Sequence, residues 1–223
     1  MFTGIIEAVG TVESVRERRG AREFVIRAPE LSGELSPGDS ITVDGACQTA
    51  VRNDEESFAM ETIGTTLSRT IAGEYRPGSR VNLERSMVLG GRLDGHLVQG
   101  HVDGVGRVQE VRQEGEFWLL DFQLPEVVEA NTILHGSIAV NGVSLTVNAL
   151  PARYRCQVGI IPFTWDHTNL GRLKPGDRVN LEGDLIGKYV AKSLSALTGE
   201  GTATLEKLRA MGYGGDAGSC STK

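Results

Sequence analysis

The chain repeats itself, and that restricts its fold more than any local signal. TGIIEAVGTV beginning at Thr3 is matched by QGHVDGVGRV beginning at Gln99. ITVDGACQTAV at Ile41 is matched by IAVNGVSLTVN at Ile138. TLSRTIAGEYRPGSRVNLE at Thr66 is matched by TWDHTNLGRLKPGDRVNLE at Thr164. Three blocks recur in one order, and the offset grows by a residue from block to block, as small loop insertions would produce. Whatever one half folds into, the other must fold into as well. The repeat predicts one domain over residues 1–96 and a second over 97–187, with the glycine-rich VLGGRLDGH as the joint. A length of 223 residues suits two domains of about 100 residues each.

Within each repeat the hydrophobic period is two. Ile138 and Val140 alternate before Asn141-Gly142, and Val143, Leu145 and Val147 alternate after it. Asn-Gly is a strong hairpin signal, and Asp44-Gly45 takes its place in the first repeat. PGSRVNLE and PGDRVNLE each read as a Pro-Gly turn entering a strand. Short strands with tight turns predict a small closed barrel per repeat, which leaves no open sheet edge. Helical turns are expected near Pro29 to Leu35 and Pro125 to Ala130. The tail differs: Val190, Leu194 and Leu197 fall on one face of a helix running from Tyr189 to Leu197. A helical tail over residues 188–211, including a piece from Thr204 to Met211, and disorder over 212–223 are expected. The apolar face could fold back on its own chain or pack on a partner.

Charge excludes several function classes. The net charge is −6 and no long basic run occurs, so neither nucleic acid nor an anionic membrane is an expected partner. MFTGIIEAVG does not resemble a secretory signal, and no stretch approaches the roughly 18 apolar residues of a membrane span. A cytoplasmic location is expected. Cys47, Cys156 and Cys220 are odd in number and widely spaced, forming neither a disulfide framework nor a zinc pattern. No metal site is expected. No GxGxxG run, phosphate loop, GxSxG elbow or HExxH occurs.

Alternation separates the hairpin's two faces. Ala46, Gln48 and Ala50 match Val143, Leu145 and Val147, so that face is core. Cys47 and Thr49 lie on the other face, where the second repeat has Ser144 and Thr146. A free cysteine often serves as a small buried apolar spacer. A polar twin and a neighbouring threonine in both copies favour a ligand-facing position instead. Gln48 occupies a core position and needs hydrogen-bond partners. His101 stands where the first repeat has Ile5, and as a neutral imidazole it could act as a base. His135 and His167, in loop or turn context, read as ordinary surface groups.

MFTGIIEAVG, VDGACQTAV, GGRLDGHLVQGHVDG, GSIAVNGVSLTVN and TNLGRLKPGDRVNLEGDLIGKYV together resemble riboflavin synthase of the alpha-chain type, from residue 1 to about residue 197. The resemblance implies an all-β chain of two homologous closed six-stranded Greek-key β-barrels in tandem, plus a short C-terminal helix. It implies dismutation of two molecules of 6,7-dimethyl-8-ribityllumazine, with no metal or cofactor. A four-carbon unit passes from one to the other, giving riboflavin and 5-amino-6-ribitylamino-2,4(1H,3H)-pyrimidinedione. Members are homotrimers whose sites lie between unlike barrels of neighbouring subunits, and some sit inside a lumazine synthase capsid. By motif, Ser40, Cys47 and His101 take catalytic positions. Phe2, Thr3, Gly4, Thr49 and Thr66 become ligand contacts of the first barrel. His135, Ser144, Thr146, Ile161, Thr164 and Asp184 become those of the second. This chain departs from the family's usual residues at Gln48 (Leu), Thr65 (Glu), His135 (Lys), Asn141 (Asp) and Phe163 (His). The alternative is a noncatalytic lumazine- or flavin-binding protein of the same fold.

Overall fold

The computed structural model describes residues 1–198. Cys220, the side chain of Leu197, the expected helical piece from Thr204 to Met211 and the tail over 212–223 lie outside the described residues.

Each repeat closes into a six-stranded antiparallel barrel. The first contains β1 (Ala8–Arg18), β2 (Ala21–Arg27), β3 (Ser40–Val43), β4 (Ala46–Asn53), β5 (Ser57–Ile63) and β6 (Arg80–Arg85). The second contains β7 (Gly104–Glu114), β8 (Phe117–Gln123), β9 (Ser137–Val140), β10 (Val143–Ala152), β11 (Arg155–Ile160) and β12 (Arg178–Gly183). Around the first barrel the order is β1-β2-β5-β4-β3-β6, a Greek key, and the second follows the same path. Closure pairs every strand on both sides and leaves no edge open.

The period-two pattern sorts residues as expected. Val12, Phe24, Ile26, Ile41, Phe58 and Leu83 fill the first barrel; Leu120, Phe122, Ile138, Val147, Val158 and Leu181 fill the second. Cys156 belongs to that second core, fully buried, with its thiol pushed up to about 12 chiefly by burial. The apolar-spacer reading of a free cysteine holds there. Short helices α1 (Pro29–Ser32) and α3 (Glu126–Glu129) occupy the two predicted turns.

Two further helices were not predicted: α2 (Gly64–Arg69) and α4 (Pro162–His167), each followed by a 3-10 turn, at Ile71–Glu74 and Asn169–Arg172. They are only six residues long, too short for a helical period to show. Both are held by tertiary contacts. Leu67 of α2 packs on the first core, and Trp165 of α4 stacks on Trp118 of β8 with ring centroids 4.4 Å apart.

The barrels meet through pairs of equivalent residues. Phe2 and Val98 form an antiparallel bridge, with N–H to O distances of 2.8 and 3.1 Å, and both side chains are buried with Ala139. The hairpin turns of the two barrels also touch. Asp44 and Asn141 adopt φ of 46°, and Gly45 and Gly142 adopt φ of 75° and 80°. A Cβ on Gly45 would lie 2.7 Å from the Gly142 nitrogen, so only glycine permits the approach.

Helix α5 (Leu185–Thr198) begins a turn ahead of the expected Tyr189 start. Ile186, Tyr189, Val190 and Leu194 are exposed on it. No helix among the described residues is long and apolar enough to cross a membrane.

Candidate active site

The chain preceding each barrel forms an extended arm. The two arms pair with each other and then cross, each reaching the hairpin of the opposite barrel. Gly4, ahead of the first barrel, accepts from the Ser144 N–H at 2.8 Å; Gly100, ahead of the second, accepts from the Cys47 N–H at 2.8 Å. Both glycines have positive φ, 77° and 81°. A Cβ at Gly100 would stand 2.6 Å from the Cys47 Cβ, and one at Gly4 would stand 2.6 Å from the Ser144 Cβ. Glycine is therefore required twice, for the left-handed conformation and for close contact.

A buried carboxylate anchors each arm. Glu84 of β6 accepts from the Thr3 N–H at 2.6 Å, the Thr3 hydroxyl at 2.7 Å and the Gly4 N–H at 3.0 Å. Glu182 of β12 accepts from the N–H groups of Gln99, Gly100 and His101 at 2.7, 3.1 and 2.9 Å. Burial raises the Glu84 carboxyl, opposed by the donors on Thr3 and Gly4.

The crossing builds the first pocket from both barrels. A cavity of about 400 Å³ is lined by Ala46 and Cys47 of β4, by Thr65, Thr66, Arg69 and Thr70, and by Gly100, His101 and Val102 of the second arm. Cys47 and His101 are thus brought together from different domains. The Cys47 thiol is raised by burial, opposed by a hydrogen bond to Ser40 and by the N-terminal ammonium, and raised further by the Glu182 charge. It is a neutral thiol at pH 7, suited to relaying a proton by hydrogen bonds and not to acting as a standing thiolate.

Ser40 reaches Cys47 from the neighbouring strand, where Thr42 is opposite Cys47 and Ser40 opposite Thr49. Ser40 also lines a second cavity of about 570 Å³, with Thr3, Glu84 and the 86–94 joint. Ser40 is not among the residues lining the Cys47–His101 cavity. Thr49 is exposed on the same face of β4 as Cys47, and Phe2, within the first arm, is fully buried.

The second barrel repeats the frame with other groups. Ser144 takes the place of Cys47, and its hydroxyl lies 2.7 Å from His96 Nδ1. Ile5 takes the place of His101 and is exposed. Thr146 is exposed on β10, Thr164 is half-buried on α4, and Ile161 stands exposed at the start of α4. Phe163 stacks on His167 with ring centroids 4.1 Å apart. His135 is exposed at φ 61°, and Asp184 is half-buried after β12.

Several residues of this boundary escape sequence reasoning. Glu84, Glu182, Asn82 and Asn180 read there only as the polar letters of two VNLE strands. Asn82 Nδ2 donates to the Asn141 carbonyl at 2.9 Å, and Asn180 Nδ2 donates to the Asp44 carbonyl at 2.8 Å. Their duplication inside a buried strand was the available signal. Asp44 accepts from Asn82 N–H, Asn169 Nδ2 and the Tyr75 hydroxyl at 2.8, 2.7 and 2.7 Å. Burial nevertheless dominates and lifts its carboxyl to about 7. Gln48 accepts from the Thr62 hydroxyl at 2.9 Å, while its buried Nε2 has no hydrogen-bond partner.

Comparison with known proteins agrees with the duplicated fold. The lumazine-binding domain family matches residues 3–86 and again residues 99–184. Riboflavin synthase of Mycobacterium bovis is 43% identical over 196 residues, covering 86% of this chain and 97% of the relative. Riboflavin synthase of Bacillus subtilis is 35% identical over 194 residues, covering 87% and 90%. A crystal structure described as LumP complexed with riboflavin superposes with a TM-score of 0.76 at 24% identity, covering 82% of this chain and 99% of that one. At that identity the likeness speaks for the fold. The chain belongs to the riboflavin synthase family, with the lumazine-binding domain present twice.

Proposed function

We propose that this chain converts two molecules of 6,7-dimethyl-8-ribityllumazine into riboflavin and 5-amino-6-ribitylamino-2,4(1H,3H)-pyrimidinedione by transfer of a four-carbon unit. The observation that carries this is the crossing of the arms, which puts His101 of one repeat beside Cys47 of the other in one cavity. Two similar substrates need two similar pockets, and the duplicated frame supplies them. Holding both molecules in register contributes much of the rate.

The rest is proton movement. His101 accepts a proton from the acidic 7-methyl group of one lumazine. The neutral Cys47 thiol and the Ser40 hydroxyl relay protons while a nucleophile adds at C7 of the other. Thr3, Gly4, Thr49 and Thr66 contact ligand in the first barrel. His135, Ser144, Thr146, Ile161, Thr164 and Asp184 do so in the second.

Both ligand surfaces are open in the single chain. Ile63, Ile161 and Phe163 are exposed beside them, and α5 carries an exposed apolar set of its own. These support closure by neighbouring copies: a homotrimer in which unlike barrels face each other. A cytoplasmic location and association with a lumazine synthase belong to the same reading.

The test is incubation with the lumazine alone. Riboflavin should accumulate at one molecule per two lumazines consumed. Tight lumazine binding without product would identify a binding protein of the same fold and sink the proposal.

A further inference from the structure

The Glu182 side chain binds only backbone among the bonds of the second arm, yet its carboxylate governs the geometry of two groups assigned to the chemistry. Three consecutive N–H groups of the second arm converge on it: Gln99 on Oε1, and Gly100 and His101 on Oε2. Those bonds fix the backbone from which the His101 side chain leaves. They also fix the Gly100 carbonyl that receives the Cys47 N–H across the domain boundary. The Gly100 conformation, at φ 81° and in contact with the Cys47 Cβ, leaves little slack between clamp and hairpin.

We propose that Glu182 is a positioning residue for the reaction, holding His101 and Cys47 in mutual register from behind the pocket. This rests on the functional reading above. Glu84 makes the corresponding clamp, but its arm leads through Gly4 to Ser144. The two clamps therefore hold different hairpins, Glu182 that of Cys47 and Glu84 that of Ser144, and the two amides provide an internal control. A general structural role would not distinguish them.

Glutamine keeps the side-chain volume but replaces one acceptor oxygen with an NH₂ group that meets backbone N–H donors head-on. Two readouts are compared in Glu182→Gln and Glu84→Gln: steady-state riboflavin formation, and hydrogen exchange of the Cys47 and Ser144 amides. In Glu182→Gln, kcat should fall about tenfold or more while KM stays within about threefold, because misplacement affects the reacting geometry more than binding. Exchange at Cys47 should accelerate about tenfold, with Ser144 unchanged. Glu84→Gln should show the reverse exchange pattern. Should Glu182→Gln fail to fold, Glu182→Asp, which keeps both oxygens but withdraws them by one methylene, carries the same readouts.

A kcat within about twofold of wild type overturns the proposal, as does acceleration of both amides together, which would mark general loosening. If the wild-type chain makes no riboflavin, the functional reading falls by itself. The paired exchange pattern then still decides whether the clamp exists.

Discussion

The first hairpin meets its crossing arm with a thiol and an imidazole; the second meets its own with a hydroxyl and an isoleucine on nearly the same backbone. Cys47 and Ser144 each donate an N–H to a positive-φ glycine of the opposite arm at 2.8 Å. Glu84 and Glu182 anchor those arms alike. Beyond that frame the copies diverge. His101 lines the first cavity, whereas Ile5 stands at its place in the second barrel. The histidine of the second site is His96, which meets Ser144 from the joint and has no twin. Duplication preserved the contacts that hold the two barrels together.

Breaking that comparison at its sharpest point should have the largest effect. His101→Ala should lower the single-turnover rate at saturating lumazine about a thousandfold, or about 4 kcal/mol, if it is the base. Cys47→Ser, which makes the first hairpin a copy of the second, should lower the rate less, and the two measured side by side separate base from relay. Unchanged rates in both would remove the assigned roles.

Next come the touching turns. Gly45→Ala should cost about 3 kcal/mol in a denaturant melt, since it strains a positive φ and drives a Cβ into Gly142. Gly142→Ala should cost about as much, because its Cβ would stand 2.8 Å from the Gly45 nitrogen. Unequal costs would show that the boundary is less symmetric than its geometry.

Asp44 and Asn141 differ in charge at equivalent turns. Burial lifts Asp44 from 3.8 to about 7, so the folded chain retains a proton that the unfolded chain has lost between those values. Its contribution to stability is full below the unfolded value and is lost as pH rises through about 7. Asn141 does not titrate. Asp44→Asn should therefore reduce the stability difference between about pH 5 and about pH 7 by about 2 kcal/mol. An unaltered pH dependence would contradict the shift.

The smallest effect concerns Gln48 and Thr62, a buried polar pair where the second barrel has Leu145 and Ile160. The double substitution Gln48→Leu with Thr62→Ile should raise stability by about 1 kcal/mol, by removing an unpartnered amide nitrogen together with the hydroxyl that bonds it. A loss of stability instead would mean that the pair is satisfied in solution.

Much of the fold was legible because its signals are local or repeated. Period-two alternation placed Gln48 inside and Cys47 outside, and Asn-Gly and Asp-Gly marked both hairpins. Helices α2 and α4 were missed because their positions depend on Leu67 packing on the first core and Trp165 stacking on Trp118. The site was legible only in part. Cys47 stood out through its twin Ser144, and His101 through its mismatch with Ile5. Glu182 was invisible as a site residue, because its three bonds span about 80 positions of chain and leave no spacing pattern.

By itself, then, the sequence determined two similar barrels, which residues fill them and which hairpin face turns away from the core, since period and duplication are written along the chain. Only the tertiary structure decided that the arms cross. That exchange depends on backbone carbonyls of Gly4 and Gly100, which every residue carries, reaching amides on the opposite barrel. Residue identity enters where a positive φ and a close approach leave no room for a Cβ, and at the two glutamates whose carboxylates anchor the arms.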